Sequence, residues 1–139
     1  MGPMEKPRAD ERGIDDYLQT YRELMGFVPP RVQARFDDLR ETNPDLLLAQ
    51  EKVRALVSNP ADLDELTVQL MLFAILASRL SDAAKLHGWA ARRKGASWAQ
   101  LQQTLDLAYL FGGQSVANRA PSVLAEIREL EAKHGLPSY

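Results

Sequence analysis

The chain has 139 residues, which is the size of one ordinary domain. Its 45% hydrophobic and 26% charged residues are typical of a globular chain and exclude disordered and membrane-spanning classes. It contains no cysteine and two histidines, which excludes disulfides, thiolate metal sites and cysteine nucleophiles and predicts no metal site. The formal net charge of -2 gives no global field that would attract nucleic acid, so we expect no nucleic-acid partner.

The N-terminal segment, residues 1–12, is polar and is predicted to form a tail without the apolar core of a secretory signal. The longest mostly apolar run, residues 68–80, is interrupted by Gln69, Ser78 and Arg79, so it is too short and too polar to span a bilayer. We therefore expect a cytoplasmic protein with no membrane partner.

Prolines and glycines divide the first half of the chain into helix-length segments without sustained alternation of apolar and polar residues. The first predicted helix covers about residues 14–25. The second begins with Pro30 at its first position and continues over residues 31–40. The third begins at Asn43-Pro44, a capping residue followed by a proline, and ends near residue 59.

The second half continues in the same way. A capping box at residues 62–65 opens the apolar segment 66–80, which we expect to be buried nearly all round. A helix from Ser81 or Asp82 to residue 95 follows, and a second capping box at 97–100 opens a helix that reaches 112. The last helix covers about 115–134, where Pro121 kinks or restarts it. The prediction is a single all-α domain over residues 13–139, a compact bundle of six to eight helices.

His87 stands out because the residues three and four positions away on its predicted helix are all alanines. It is either a packed core histidine or a general acid or base, because an imidazole titrates near neutrality. Residues 66–125 contain two acidic and six basic residues, which gives this segment a formal net charge of +4. That excess would favour an anionic ligand near His87, and the alternative is a solvated basic surface balanced by acidic neighbours.

Residues 66–118 resemble the core of the carboxymuconolactone decarboxylase family, which includes the alkylhydroperoxidase (AhpD-like) proteins. The similar segments are LTVQLMLFAILAS, LHGWAARRKGAS and QLQQTLDLAYLFGGQSVANRA, preceded by FVPPRVQARF, ETNPDLLLAQEKV and NPADLDELT. The resemblance extends over about residues 17–130. It implies an AhpD-like all-α fold and a homo-oligomer, a trimer or hexamer, with pockets near the subunit contacts.

The peroxidase members of this family carry two cysteines before the histidine, and that spacing places them at Leu80 and Ala83. Their glutamate falls on Val68, or on Gln69 with a shift of one residue, and neither is an acid. Only the histidine is retained, as His87, so thiol peroxidase activity is excluded.

The resemblance that remains is to the cysteine-free decarboxylase branch, whose chemistry needs no metal or cofactor. It implies a cofactor-independent acid–base enzyme, either a lyase of the decarboxylase type or an isomerase, acting on a small anionic lactone or organic acid, with His87 as proton donor or shuttle. The candidates for substrate binding or proton relay are Arg79, Asp82, Arg119, Gln69, Tyr17 and Tyr21. For the two tyrosines the alternative is ordinary helix packing. For the chain, it is a non-catalytic ligand-binding or structural oligomer, in which His87 is packed and no cavity accepts a ligand.

Overall fold

The computed structural model describes residues 12–138. Within this range the chain forms seven α-helices and no strand, which confirms the predicted all-α class with six to eight helices. The predicted polar tail, apart from Arg12, lies outside the described residues. The helices belong to two compact units, one ending at residue 61 and the other beginning at residue 62.

The first unit consists of α1 (Ile14–Met25), α2 (Pro30–Thr42) and α3 (Pro44–Val57). Helix α1 ends at Gly26, whose φ of 82° is the left-handed conformation that glycine adopts without strain. The side chain of Asn43 caps α3 by accepting a hydrogen bond from the Leu46 backbone N–H, as its position before Pro44 predicts. Both α1 and α2 pack against α3. Their shared core contains Tyr17, Leu18, Tyr21, Phe36 and Leu47.

The second unit consists of α4 (Glu65–Ser78), α5 (Ala84–Arg93), α6 (Trp98–Gly112) and α7 (Gln114–His134). Helix α4 contacts α5 and α6, and α7 contacts the same two helices, so the four helices form a closed bundle. The predicted capping box is present at the start of α6, where Ser97 and Gln100 exchange hydrogen bonds between side chain and backbone. The largest fully buried side chains of this unit are Trp89, Phe73, Leu101, Leu105, Ile127 and Val116.

Two expectations for the second unit were wrong. The capping box predicted at residues 62–65 is not formed, because Asp64 caps α4 by accepting a hydrogen bond from the Thr67 backbone N–H. Helix α4 is not buried nearly all round, because Met71 and Ile75 are each about half exposed. Of the two alternatives predicted for Pro121, a kink or a restart, the structure excludes the restart, because this proline lies inside the continuous helix α7. Proline lacks the amide hydrogen of an interior helical residue, and the α-helix continues on both sides of it.

Gly88 permits a close approach of α5 to its neighbours. A Cβ atom at Gly88 would overlap Cδ1 of Ile127 and would lie 3.2 Å from Cε1 of Phe73. The absence of a side chain therefore brings α5 close to both α7 and α4, and it does so at the residue after His87. Among the described residues, no helix combines the length and the apolar character needed to cross a membrane.

Candidate functional site

His87 is paired with Gln69 across the α4–α5 contact. Nδ1 of the partly buried His87 lies 2.8 Å from Oε1 of Gln69, whose side chain is buried. An amide oxygen can only accept a hydrogen bond, so Nδ1 of His87 is the donor. In the neutral imidazole this places the hydrogen on Nδ1 and makes Nε2 the basic nitrogen.

The local sequence explains why these two side chains meet. Gln69 and Phe73 are four residues apart and share one face of α4, and Phe73 approaches Gly88 on α5. The residue before Gly88 is His87, so close packing at Gly88 holds the imidazole near Gln69. Of the two positions predicted for the glutamate of the resembled family, the structure brings Gln69 to the histidine.

A second pair joins Asp82, which lies in the turn between α4 and α5, to Arg119. Arg119, on α7, donates from Nη2 to Oδ1 of Asp82 at 2.7 Å and from Nη1 to the backbone oxygen of Leu80 at 3.1 Å. Leu80 has a φ of 57°, which is the left-handed region that disfavours a leucine side chain. Arg119 therefore ties a strained turn to α7, and its guanidinium, a predicted candidate for substrate binding, is held in the ion pair with Asp82.

A small cavity lies beside this turn. Its volume of about 10 Å³ is close to the minimum needed for one water molecule. Arg119, Ser81 and Ala84 contribute to its wall, and His87, three residues after Ala84, does not. The cavity is otherwise lined by Ala77, Leu80, Leu105, Val116, Ala120 and Val123.

The other arginine predicted as a candidate for substrate binding, Arg79, lies at the C-terminal end of α4 and is exposed. It follows Gln69 by ten residues, which corresponds to roughly 15 Å along a helix axis. The structure therefore does not bring Arg79 to the His87–Gln69 pair.

The basic excess in residues 66–125 is largely neutralised by ion pairs. Lys85 contacts Glu126 at 3.4 Å, Arg92 contacts Glu131 at 2.6 Å, Lys94 contacts Glu65 at 2.8 Å, and Arg119 contacts Asp82 at 2.7 Å. Three of these four acids lie outside the segment, so a charge sum along the sequence misses them. Four of the six basic residues are thus paired with acids. This agrees with the alternative expectation, in which acidic neighbours balance the basic residues and no anionic ligand is needed.

Tyr17 and Tyr21 lie in the core of the first unit, and Tyr21 belongs to a buried polar cluster. Its hydroxyl donates to Oε1 of Glu51 at 2.8 Å, and Glu51 is only 1% exposed. Arg35 and Arg54 contact the same carboxylate at 2.6 and 3.5 Å. Burial, opposed by the charge of Arg54, raises the pKa of Tyr21 from its ordinary 10 to about 12.

Sequence reasoning did not identify Glu51. The available signal was its position four residues after Leu47, on the face of α3 that carries the core of the first unit. An acid on a buried face requires cationic or hydrogen-bonding partners. The partners come from all three helices of the unit: Tyr21 from α1, Arg35 from α2 and Arg54 from α3 itself.

Among the described residues, no group of three or more His, Asp or Glu side chains is placed to hold a metal ion. Comparisons with protein-family models, with curated protein sequences and with solved structures found no match to this chain.

Proposed function

We propose that this protein is a cofactor-independent acid–base catalyst acting on a small anionic lactone or organic acid, with His87 as the proton-exchanging group. The observation that carries the proposal is the 2.8 Å contact between Nδ1 of His87 and Oε1 of Gln69. Gln69 accepts the same hydrogen bond whether the imidazole is neutral or protonated, so proton exchange is confined to Nε2. A cytoplasmic location belongs to this proposal.

The proposed step is the decarboxylation of a carboxylate attached to an unsaturated lactone. The bond between the carboxylate carbon and the ring breaks, carbon dioxide leaves, and the bonding electrons move into the conjugated carbonyl. The protonated His87 then delivers its Nε2 proton to the carbanion carbon, which leaves the neutral ring with its hydrogen on Nδ1. An isomerisation would use the same nitrogen first to remove and then to return a proton.

A non-catalytic binding or structural role is the second candidate. It is favoured by the small cavity, which does not include His87, and by the ion pair that occupies Arg119. The two candidates differ in what His87 does: a catalyst needs its titrating nitrogen, whereas a packed histidine needs only its shape and its contact with Gln69.

The test uses carboxymuconolactone as the probe and follows carbon dioxide release and the lactone's ultraviolet absorbance. We expect turnover by the wild type, no turnover by His87→Gln, and unchanged turnover by His134→Gln. His134 is the matched control because it is the chain's other histidine and is exposed near the end of α7. Circular dichroism shows whether each variant is folded.

Two outcomes would contradict catalysis by His87. One is full turnover by a folded His87→Gln variant. The other is no turnover by the wild type together with unchanged imidazole ¹⁵N signals of His87 when the lactone is added, which would favour the non-catalytic role.

A further inference from the structure

The small cavity beside the turn between α4 and α5 lies where all four helices of the second unit meet. Each helix contributes to its wall: Ala77 from α4, Ala84 from α5, Leu105 from α6 and Val116 from α7. Of the nine described residues that form the wall, seven have hydrocarbon side chains, and the other two are Ser81 and Arg119. The guanidinium of Arg119 is therefore the only charged group that these nine residues carry.

The interior of the cavity suits a methyl group better than a water molecule. Its volume of about 10 Å³ is close to the minimum for one water molecule, and a methyl group is only slightly larger. A buried water needs about two to four hydrogen-bonding partners, which hydrocarbon side chains cannot supply. The hydroxyl oxygen of Ser81 already accepts a hydrogen bond from the Ala83 backbone N–H at 3.1 Å. Removing a methyl group from water into this space is favourable.

The guanidinium of Arg119 is held at the rim of the cavity by two different acceptors. Nη1 donates to the backbone oxygen of Leu80, which belongs to the same wall, and Nη2 donates to the carboxylate of Asp82. The side chains of this ion pair are 39% exposed for Arg119 and 56% exposed for Asp82, so water screens their attraction. Another carboxylate can therefore replace Asp82 on Nη2, while the hydrogen bond to Leu80 continues to hold the guanidinium in place.

We propose that this cavity and Arg119 form a binding site for a short-chain carboxylate of the size of acetate or propionate. The carboxylate of the ligand replaces Asp82 on the guanidinium, and its methyl group enters the cavity. Inorganic anions carry the charge without the apolar group, and a short alcohol carries the apolar group without the charge, so neither uses both parts of the site. The wall does not include His87, so the site is separate from the proposed catalytic pair and goes beyond the proposed function.

A titration with sodium propionate tests the proposal, with sodium chloride keeping the ionic strength constant. The readout is the ¹H–¹³C methyl signals of Ala84 and Ala120, which line the cavity. We expect a saturable shift of both signals, with a dissociation constant in the millimolar range. Propanol, which lacks the charge, and pivalate, whose branched carbon is too bulky for the cavity, should produce no saturable shift.

Variants of the ion pair test the exchange of one carboxylate for another. Asp82→Asn removes the competing carboxylate and should tighten the binding of propionate about two- to fivefold. Glu126→Gln is the matched control, because it removes the acid of another half-exposed ion pair, with Lys85, and should leave the dissociation constant unchanged. Arg119→Gln should abolish binding, and circular dichroism shows whether this variant is folded.

Three outcomes would overturn the proposal, and none of them requires Arg119→Gln to fold. The first is the absence of a saturable shift in both the wild type and Asp82→Asn. The second is equal binding of propionate and pivalate, which would show that the cavity does not select the ligand. The third is equal dissociation constants for Asp82→Asn and Glu126→Gln, which would show that the ligand does not replace Asp82.

Discussion

Gln69 holds Nδ1 of His87 at 2.8 Å, so the group beside this nitrogen is a neutral amide. Replacing the amide by a carboxylate tests what the missing charge does. We expect Gln69→Glu to keep the imidazole protonated to a higher pH than in the wild type, because a negative charge stabilises the imidazolium. A ¹⁵N NMR titration of His87 measures the change.

The matched control for this variant is Gln103→Glu, which adds the same charge on an exposed position of α6. It should leave the titration of His87 unchanged. If the two glutamate variants titrate alike, the contact between Gln69 and His87 does not control the imidazole.

Glu51 is expected to stabilise the first unit through its buried ion pairs. Changing Glu51→Gln leaves the guanidinium groups of Arg35 and Arg54 without their carboxylate, which should lower the free energy of unfolding by about 2–4 kcal/mol. Urea denaturation followed by circular dichroism gives the value. The comparison is Asp15→Asn, which removes an exposed ion pair with Arg40 and should cost less than about 1 kcal/mol. Equal effects of the two variants would contradict the role of the cluster.

The pKa of Tyr21, raised to about 12, makes the stability of the protein depend on pH in alkaline solution. Below pH 10 the phenol is protonated in both the folded and the unfolded chain. Between pH 10 and 12 only the unfolded chain releases the proton, so the stability falls by roughly 2–3 kcal/mol as the pH rises through this window. Denaturation at several pH values measures the fall. The Tyr21→Phe variant should lack the part of this fall in stability that comes from the phenol. An equal fall in the wild type and in Tyr21→Phe would show that Tyr21 is not the source.

Gly112 is required by the close packing at the ends of α4 and α6. A Cβ atom there would lie 2.6 Å from Cγ2 of Val116 and 3.2 Å from the Cα of Ser78. We expect Gly112→Ala to cost about 1–3 kcal/mol in the free energy of unfolding. The same substitution should cost less in a Val116→Ala background, because the nearest obstructing atom is then removed. Additive effects in this double-mutant cycle would argue against the steric explanation.

The helix boundaries could be predicted where the signal is local. Asn43 followed by Pro44, and Ser97 followed three residues later by Gln100, set the starts of α3 and α6 with their own side chains. The exposure of Met71 and Ile75 could not be predicted in this way. It depends on how much of the circumference of α4 its neighbours cover, and the composition of α4 alone does not contain that information.

The candidate site was predictable only in part, because the partners of a side chain depend on how the helices pack. His87 could be singled out because its neighbours on the helix are alanines. Its partner, Gln69, depends on the register between α4 and α5, and a shift of one residue separates Gln69 from Val68. Pairs such as Lys85 with Glu126 join residues 41 positions apart on different helices, so the charge of a sequence segment does not give the charge around a site.

The most direct test of the account is the tautomer of His87, measured by two-bond ¹H–¹⁵N correlation spectra of the wild type and of Gln69→Leu. In the wild type at a pH where the ring is neutral, the account predicts the hydrogen on Nδ1 and an unprotonated Nε2. In Gln69→Leu it predicts that this preference is lost. A neutral His87 with its hydrogen on Nε2 in the wild type, or the same Nδ1–H tautomer in both proteins, would contradict the claim that Gln69 directs proton exchange to Nε2.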